Sequence, residues 1–139
     1  MDYARTVLKM PVPEVRAWSA HAADPSHGVG TEFIITDKIP GVPLRDRWLT
    51  LNDRQWMGVV DEAVELMNRF WQRPFSQIGS IFYKEDVPPA LRDRPFYADG
   101  KAFEDASERF RIGPCVDLDI WRGKRAQIHN VDRGPCSLL

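Results

Sequence analysis

One long amphipathic segment in the middle of the chain constrains the fold most. Between positions 53 and 72, apolar side chains recur every three or four residues: Trp56, Val60, Ala63, Met67 and Phe70. This spacing places them on one face of an α-helix. Asn52 is suited to cap the start of the helix, and Pro74 lies just past its end. The pattern predicts a core helix about 30 Å long that organises the surrounding chain.

Two short apolar runs ahead of this segment predict β-strands, at residues 15–18 and 33–35. The polar stretch 21–30 between them is punctuated by Gly and Pro, which predicts a hairpin loop. After the second strand, the Pro40-Gly41 pair predicts a turn, and residues 44–48 predict one short amphipathic helix. This part of the chain therefore combines a small sheet with helices.

The remaining elements have weaker signals. Residues 3–8 predict the end of a helix, because Pro11 forbids its continuation. Residues 80–83 predict a hairpin strand, and residues 102–110 a short helix. The alternation of apolar and acidic residues in 111–121 predicts a half-buried strand.

Composition bounds the class of protein. The 139 residues are 43% hydrophobic and 28% charged, which is typical of one soluble globular unit. No apolar run approaches the roughly 20 residues of a spanning helix, so we expect no membrane insertion. The net charge of -1 indicates no nucleic-acid partner. The first residues lack the features of a targeting peptide, which makes the cytoplasm the default compartment, and both cysteines are predicted to be thiols.

Six motifs are spread along nearly the whole chain: PVPEVRAW at 11–18, TEFIITDKIPGVPL at 31–44, FSQIGSIFY at 75–83, IGP at 112–114, WRGKRA at 121–126 and DRGP at 132–135. Together they resemble the aminoglycoside-phosphotransferase-like family of protein-kinase-like folds. The first motif resembles the end of helix C and strand four, and the second resembles strand five, the hinge and the turn after it. The similarity is greatest to the fungal branch that includes the mitochondrial-inheritance kinase-like proteins.

The resemblance implies an α+β fold that is part of a protein-kinase-like domain. Residues 1–39 would form a remnant of the small-lobe sheet and the hinge, and residues 40–139 the start of the helical lobe with an insertion. Complete members of the family are implied to transfer phosphate from ATP, with Mg²⁺, to small molecules. Neither cofactor is expected to have its full binding site in this chain, and the sequence does not identify a substrate.

The resemblance also implies a set of binding residues at the hinge: Thr36, Asp37, Lys38 and Ile39. In the resembled fold, main-chain N–H and C=O groups of this segment pair with the edge of adenine. Main-chain contacts do not depend on particular side chains. The hinge is therefore a prediction from resemblance, and few other contacts to a nucleotide are expected, which implies weak affinity.

The groups that carry out phosphoryl transfer are not recognisable in the chain. A phosphate loop would lead into a helix, whereas residues 28–30 (GVG) lead into a predicted strand and so predict a hairpin turn. The resemblance places the phosphate-binding lysine before Met1 and the His-x-Asp catalytic loop after Leu139. We therefore predict no catalytic residue within residues 1–139.

Two local patterns imitate catalytic motifs. His129 and Asp132 are three residues apart, whereas the family motif spaces them by two. Asp117 and Asp119 could offer two carboxylates to Mg²⁺, but no third ligand follows them. We predict that neither pair binds metal or catalyses a reaction.

These observations predict a kinase-domain fragment that does not transfer phosphate. Two alternatives stay open: a truncated copy of an active ATP-dependent small-molecule phosphotransferase, and a non-catalytic interaction module. In the resembled fold the strand at 33–35 pairs with strands that precede helix C, so in this chain its free edge predicts self-association. The resemblance also implies the mitochondrion as the alternative to the cytoplasm.

Overall fold

The computed structural model describes residues 1–22, 26–98 and 108–137. They form two compact units, Met1–Arg69 and Phe70–Leu139, and combine short helices with three two-stranded sheets. The elements that begin in the first unit are α1 (Asp2–Thr6), β1 (Val15–Ser19), β2 (Phe33–Thr36), α2 (Leu44–Arg47), a 3₁₀ turn (Trp48–Thr50) and α3 (Asp53–Trp71). The elements that follow are β3 (Gln77–Ile78), β4 (Ser80–Tyr83), α4 (Pro89–Arg92), β5 (Phe110–Gly113), α5 (Leu118–Trp121), a 3₁₀ segment (Gly123–Gln127) and β6 (Cys136–Ser137).

The first sheet is the hairpin of β1 and β2, which confirms the two strands predicted in this region. The strands are antiparallel, with Trp18 opposite Ile34 and Ala17 opposite Ile35. The predicted loop between them includes residues 23–25, which lie outside the described part of the chain. Of the apolar side chains in this hairpin, Trp18 is 54% exposed and Ile34 65% exposed. In the part of the chain that the structure describes, these two side chains are thus largely left uncovered.

Helix α3 begins at the residue that the sequence predicts. Asn52 accepts a hydrogen bond from the Gln55 main-chain N–H at 3.0 Å, and its own N–H donates to the Gln55 side chain at 3.0 Å. This reciprocal pair is a capping box, which satisfies two N–H groups that the helix itself leaves unpaired. The N-cap prediction is confirmed, and the helix ends one residue earlier than predicted.

The predicted core role of α3 is wrong. None of its residues is buried: Met67 is 57% exposed and Trp71 is 79% exposed. The half-buried positions are Trp56, Val59, Leu66 and Arg69, and only Trp56 belongs to the predicted stripe. Periodicity shows that a helix has an apolar face, but it does not show whether the same chain supplies the surface that covers it.

The core of the second unit is aromatic. Phe96 and Tyr97 are each 2% exposed, and their rings meet edge to face with centroids 4.7 Å apart. Phe110 of β5 contributes a third ring, 6.4 Å from that of Phe96. The predicted strand 80–83 is confirmed as β4, which pairs antiparallel with β5. In this unit the antiparallel pair of β4 and β5 and an aromatic cluster cover each other.

The predicted strand 111–121 is mostly wrong. Pairing stops at Gly113, because Pro114 has no N–H to continue the ladder. The Asp117 carboxylate then accepts a hydrogen bond from the Asp119 N–H at 2.8 Å, which starts α5. Leu118 is 79% exposed. The predicted helix at 102–110 lies largely outside the described residues, since 99–107 are not described.

Among the described residues (1–22, 26–98 and 108–137), no helix is both long enough and apolar enough to cross a bilayer.

Candidate functional site

The four predicted hinge residues lie at the end of β2. Thr36 is the last residue of the strand and is half-buried. Asp37, Lys38 and Ile39 follow without regular structure, and all three are exposed. Gly41 then takes a φ of 125°, which only glycine adopts readily, and turns the chain toward α2. The structure thus presents the predicted segment as an exposed strip between a strand and a turn.

A β-bulge in the neighbouring strand faces this strip. Val15 lies opposite Thr36 and Ala17 opposite Ile35, so Arg16 is the additional residue between two successive pairs. A bulge locally redirects side chains. The Arg16 guanidinium reaches the Asp37 carboxylate with two hydrogen bonds, Nε to Oδ1 at 2.7 Å and Nη2 to Oδ2 at 2.9 Å. This two-point contact has the fork geometry in which arginine binds carboxylate best.

The ion pair belongs to a longer chain of charges, which we call the hinge network: Arg5, Glu14, Arg16 and Asp37. Glu14 accepts from Arg16 Nη1 at 3.4 Å with one oxygen and from Arg5 Nη2 of α1 at 3.0 Å with the other. The main-chain N–H of Asp37 also donates to the Glu14 carbonyl at 3.0 Å. Helix α1, strand β1 and the predicted hinge segment are therefore connected through alternating charges.

The contacts between Arg16 and Asp37 shift the pKa values of both side chains. The hydrogen bond from Arg16 lowers the pKa of Asp37 below its usual value; partial desolvation opposes this, and the charges of Arg16 and Arg5 add to the lowering. The hydrogen bond and charge of Asp37 raise the pKa of Arg16 in turn. The side chains of Arg16 and Asp37 are 57% and 45% exposed, so solvent screens the pair and its energy is modest.

The main-chain groups beyond Asp37 can accept a ligand. Within the described residues, no hydrogen bond engages the N–H or C=O of Lys38 or Ile39. Exposed main-chain donors and acceptors of this kind can pair with the edge of a planar heterocycle such as adenine. The segment therefore has the free polar groups that the hinge prediction requires.

The described residues offer no comparable arrangement for binding a metal ion. Across residues 1–22, 26–98 and 108–137, no cluster of three or more His, Cys, Asp or Glu side chains could hold an ion. Asp117, one of the two carboxylates considered from sequence, is engaged as the cap of α5. Asp132 accepts from the Gly134 N–H at 2.9 Å and so stabilises a local turn.

Two of the sequence motifs, at 121–126 and 132–135, come together in the second unit. The Arg133 guanidinium stacks on the ring of Trp121 at 4.1 Å, and it donates to the carbonyls of Arg125 and Ile128 at 3.2 and 3.1 Å. Trp121 in turn donates to the Cys115 carbonyl at 2.8 Å. These contacts fix a surface loop. Cys115 and Cys136 are both free thiols.

Sequence reasoning missed Arg5, Glu14 and Arg16. The available signal was the alternation of Glu14 and Arg16 close to a strand that precedes the predicted hinge. Charge alternation alone is typical of any solvated strand face. The bulge that aims Arg16 at Asp37, 21 residues away, leaves no mark in the sequence.

Comparison with known proteins finds relatives that are longer than this chain. A subtelomeric hrmA-associated cluster protein of Aspergillus fumigatus is 33% identical over 136 residues in one strain and 32% identical in another, with 98% of the chain covered. The altered inheritance of mitochondria protein 9 of Candida tropicalis is 28% identical over 138 residues. The chain spans 24% of the first two proteins and 22% of the third. No protein-family model and no solved structure matches the sequence.

Proposed function

We propose that this chain is the central part of an aminoglycoside-phosphotransferase-like kinase domain, in which Thr36 to Ile39 form the hinge for the adenine of ATP. The observation that supports it best is the exposed strip after β2, where the main-chain groups of Lys38 and Ile39 make no hydrogen bond within the described residues. An antiparallel hairpin precedes the strip, and a turn and a short helix follow it. This order of elements agrees with the one that the sequence motifs imply.

The chain's own residues would contribute binding and orientation. Lys38 and Ile39 would hold the adenine edge through their main chain. The bound nucleotide would supply the phosphoryl group, with Mg²⁺ to neutralise charge. Because the sequence of residues 1–139 contains no phosphate-binding loop or catalytic base motif, this segment would not by itself transfer phosphate.

The exposed face of α3 gives independent support to the idea of a larger domain. Five apolar side chains follow one another at spacings of three and four residues and are each 48–79% exposed: Met57, Val60, Val64, Met67 and Trp71. A stripe of this length is normally covered in a folded domain. In the proposal, further parts of the kinase-like domain cover it.

The same exposure favours the second candidate function, a non-catalytic interaction module. The apolar side chains of β2 and α3 would then contact another protein or a second copy of the chain. The genomic sequence on either side of the coding region distinguishes a non-catalytic module from a truncated copy of an active phosphotransferase. An in-frame glycine loop and lysine upstream, with a His-x-Asp motif downstream, would establish the truncated copy of an active phosphotransferase. Absence of those motifs, together with production of the short protein, would favour the module.

Adenine binding is tested by titrating ¹⁵N-labelled protein with adenosine and following its amide signals. We expect the signals of Lys38 and Ile39 to shift with adenosine more than with guanosine, because the two purines present different edges. Ile39→Pro removes one hinge N–H and should weaken the response, whereas Val42→Pro, in the loop after the turn, should not. Equal responses to both nucleosides, or none at the hinge, would contradict the proposal.

Catalysis gives a second test. The chain of residues 1–139 is predicted to show no Mg²⁺-dependent consumption of ATP above a buffer blank when aminoglycosides, choline or sugars are offered. The physical reason is that a loop over the phosphates, a lysine and a catalytic Asp are all required for rate enhancement. Reproducible turnover that Asp132→Ala abolishes would overturn this part of the proposal.

The compartment is also part of the proposal. The name of the similar Candida tropicalis protein describes that protein as mitochondrial, and we extend this location to the protein that contains the present chain. A fluorescent fusion expressed from the native locus should coincide with a mitochondrial marker. A diffuse cytosolic signal would favour the compartment that the composition suggests by default.

A further inference from the structure

We propose that Arg16 is a positioning residue for the hinge, and that Glu14 connects it to Arg5 so that α1 and the hinge are held by one chain of charges. The inference rests on the proposed role of residues 36–39 as a hinge. It assigns a task to three residues outside that segment. All of them lie in the first unit of the structure.

The first argument is where the fixed part of the chain ends. Asp37 is held through its side chain by two bonds from Arg16 and through its main-chain N–H by the Glu14 carbonyl. The next two residues, Lys38 and Ile39, make no main-chain hydrogen bond within the described residues. Asp37 is therefore the last anchored residue before the strip that would meet the ligand. The position of the strip depends on this anchor.

The second argument is the bulge. A regular register would pair every residue of β1 with one of β2, whereas Arg16 is the unpaired extra residue. Bulges disrupt the ladder locally and are found next to functional sites, where they redirect a side chain. In this hairpin the redirected side chain is the one that binds the hinge carboxylate.

The third argument is continuity with the helices of the same unit. Arg5 of α1 binds the second oxygen of Glu14 at 3.0 Å. Just past the C-terminal end of α1, Arg69 of α3 donates to the Lys9 carbonyl at 2.7 Å. The hinge network is thus joined to α1, and Arg69 of α3 binds the segment that directly follows α1. A displacement of α1 would be transmitted to the anchor at Asp37.

An isolated surface ion pair would not support this inference, because exposed pairs typically contribute little. The pair of Arg45 and Asp46 is of that kind: one contact at 3.3 Å, between adjacent residues, with the arginine side chain 86% exposed. It provides the matched control. The Arg16 pair differs in its two-point geometry, in its links to Glu14 and Arg5, and in the main-chain anchor beside it.

The experiment measures order at the hinge in ¹⁵N-labelled protein of residues 1–139. In Arg16→Gln we expect the Asp37 amide to exchange about two- to fivefold faster, the size expected for loss of an exposed ion pair. We expect the backbone order parameters of Lys38 and Ile39 to fall toward about 0.6, the value that separates flexible from rigid backbone. Arg16→Lys, which keeps the charge but loses the fork, should fall between, and Arg45→Gln should leave the hinge unchanged.

A double-mutant cycle then separates positioning from a general loss of stability. Asp37→Asn should reproduce the effect of Arg16→Gln, and the double variant should be no worse than either single variant, because both remove the same interaction. Arg5→Gln should give a smaller change at Asp37. Additive effects would overturn the proposal, and so would wild-type hinge order in a folded Arg16→Gln variant. If the Asp37 amide in Arg5→Gln exchanges as in the wild type, the part of the proposal that connects α1 to the hinge is wrong.

Two further readouts keep every outcome decisive. If Arg16→Gln unfolds the first hairpin, Arg16→Lys decides, and wild-type hinge order in that variant overturns the proposal. Adenosine titration of the same samples tests the hinge function separately. Absence of an adenosine response, with hinge order still dependent on Arg16, would defeat the proposed function and leave the positioning role intact.

Discussion

The two antiparallel strand pairs β1–β2 and β4–β5 differ in how far their apolar side chains are buried. The strand Phe33–Thr36 has the sequence FIIT, and the strand Phe110–Gly113 has the sequence FRIG. The first is the more apolar, yet its Ile34 is 65% exposed, whereas Ile112 of the second is 4% exposed. The second strand lies against an aromatic cluster that includes Phe96 and Tyr97. Burial in this protein is therefore decided by the partners that the chain supplies and not by the hydrophobicity of the strand.

The largest expected effect tests that comparison directly with one substitution in each strand pair. Ile112→Ala should cost about 2–5 kcal/mol, because it removes buried methyl groups and leaves a cavity. Ile34→Ala should change stability by no more than about 0.5 kcal/mol, since that side chain is already largely solvated. Urea unfolding followed through the amide signals of each strand pair measures the two changes in the free energy of unfolding. Equal costs would mean that the first hairpin is covered in solution.

A second test uses the same substitution, Gly→Ala, at a crowded and at an open site. At Gly79 a Cβ would lie against the Gly113 carbonyl oxygen and 2.8 Å from Cγ2 of Ile112, whereas at Gly58 of α3 it would meet nothing within 4 Å. Gly79→Ala should therefore destabilise by about 1–3 kcal/mol through overpacking. Gly58→Ala should stabilise by about 0.5–1 kcal/mol, because alanine is the better helix former.

The thermal or urea midpoint of each variant shows whether the substitution stabilises or destabilises the protein, and the two substitutions are expected to shift it in opposite directions. A loss of stability in Gly58→Ala would show that something packs against that face of α3. A neutral Gly79→Ala would show that residue 79 and β5 can move apart without cost, which would weaken the contrast between the two regions.

Local features of the fold were predictable from sequence because their causes are local. The start of α3 is set by Asn52 and Gln55, and its end by Pro74, each within four residues of the helix terminus. Strand β2 is one residue longer than its predicted range. The burial of α3 was not predictable, because an apolar stripe does not reveal what covers it. At the site, the resemblance pointed to the segment that we propose as the hinge, but the Arg16 contact depends on a bulge and on a partner distant in sequence.

The third prediction concerns the cap that the sequence did identify. Asn52→Ala should destabilise the first unit by about 1 kcal/mol, because it leaves the Gln55 N–H without its acceptor. Helicity by circular dichroism and the urea midpoint both report the change. Asn68→Ala, on the same helix away from its start, is the matched control and should stabilise it by no more than about 0.5 kcal/mol, because alanine is the better helix former. Equal losses in both variants would show that the cap contributes nothing specific to α3.

The smallest expected effect is electrostatic and concerns the exposed hairpin. The Arg16 hydrogen bond lowers the pKa of Asp37 in the folded state. A carboxyl group with a lowered folded pKa stabilises the fold at pH values above its unfolded pKa, and this contribution disappears as the pH falls through the folded pKa. We therefore expect the first hairpin to lose a small part of its stability on acidification below the usual range of an aspartate, about pH 4.

Arg16→Gln should move the pKa of Asp37 up toward its ordinary value, as measured by the carboxyl ¹³C shift during a pH titration. High salt should produce part of the same change, because it screens the charges of Arg16 and Arg5 but leaves the hydrogen bonds in place. Arg45→Gln should have no effect on this titration. If Asp37 titrates identically in the wild type and in Arg16→Gln, the fork between these residues does not persist in solution, and only the main-chain bond to the Glu14 carbonyl would anchor Asp37.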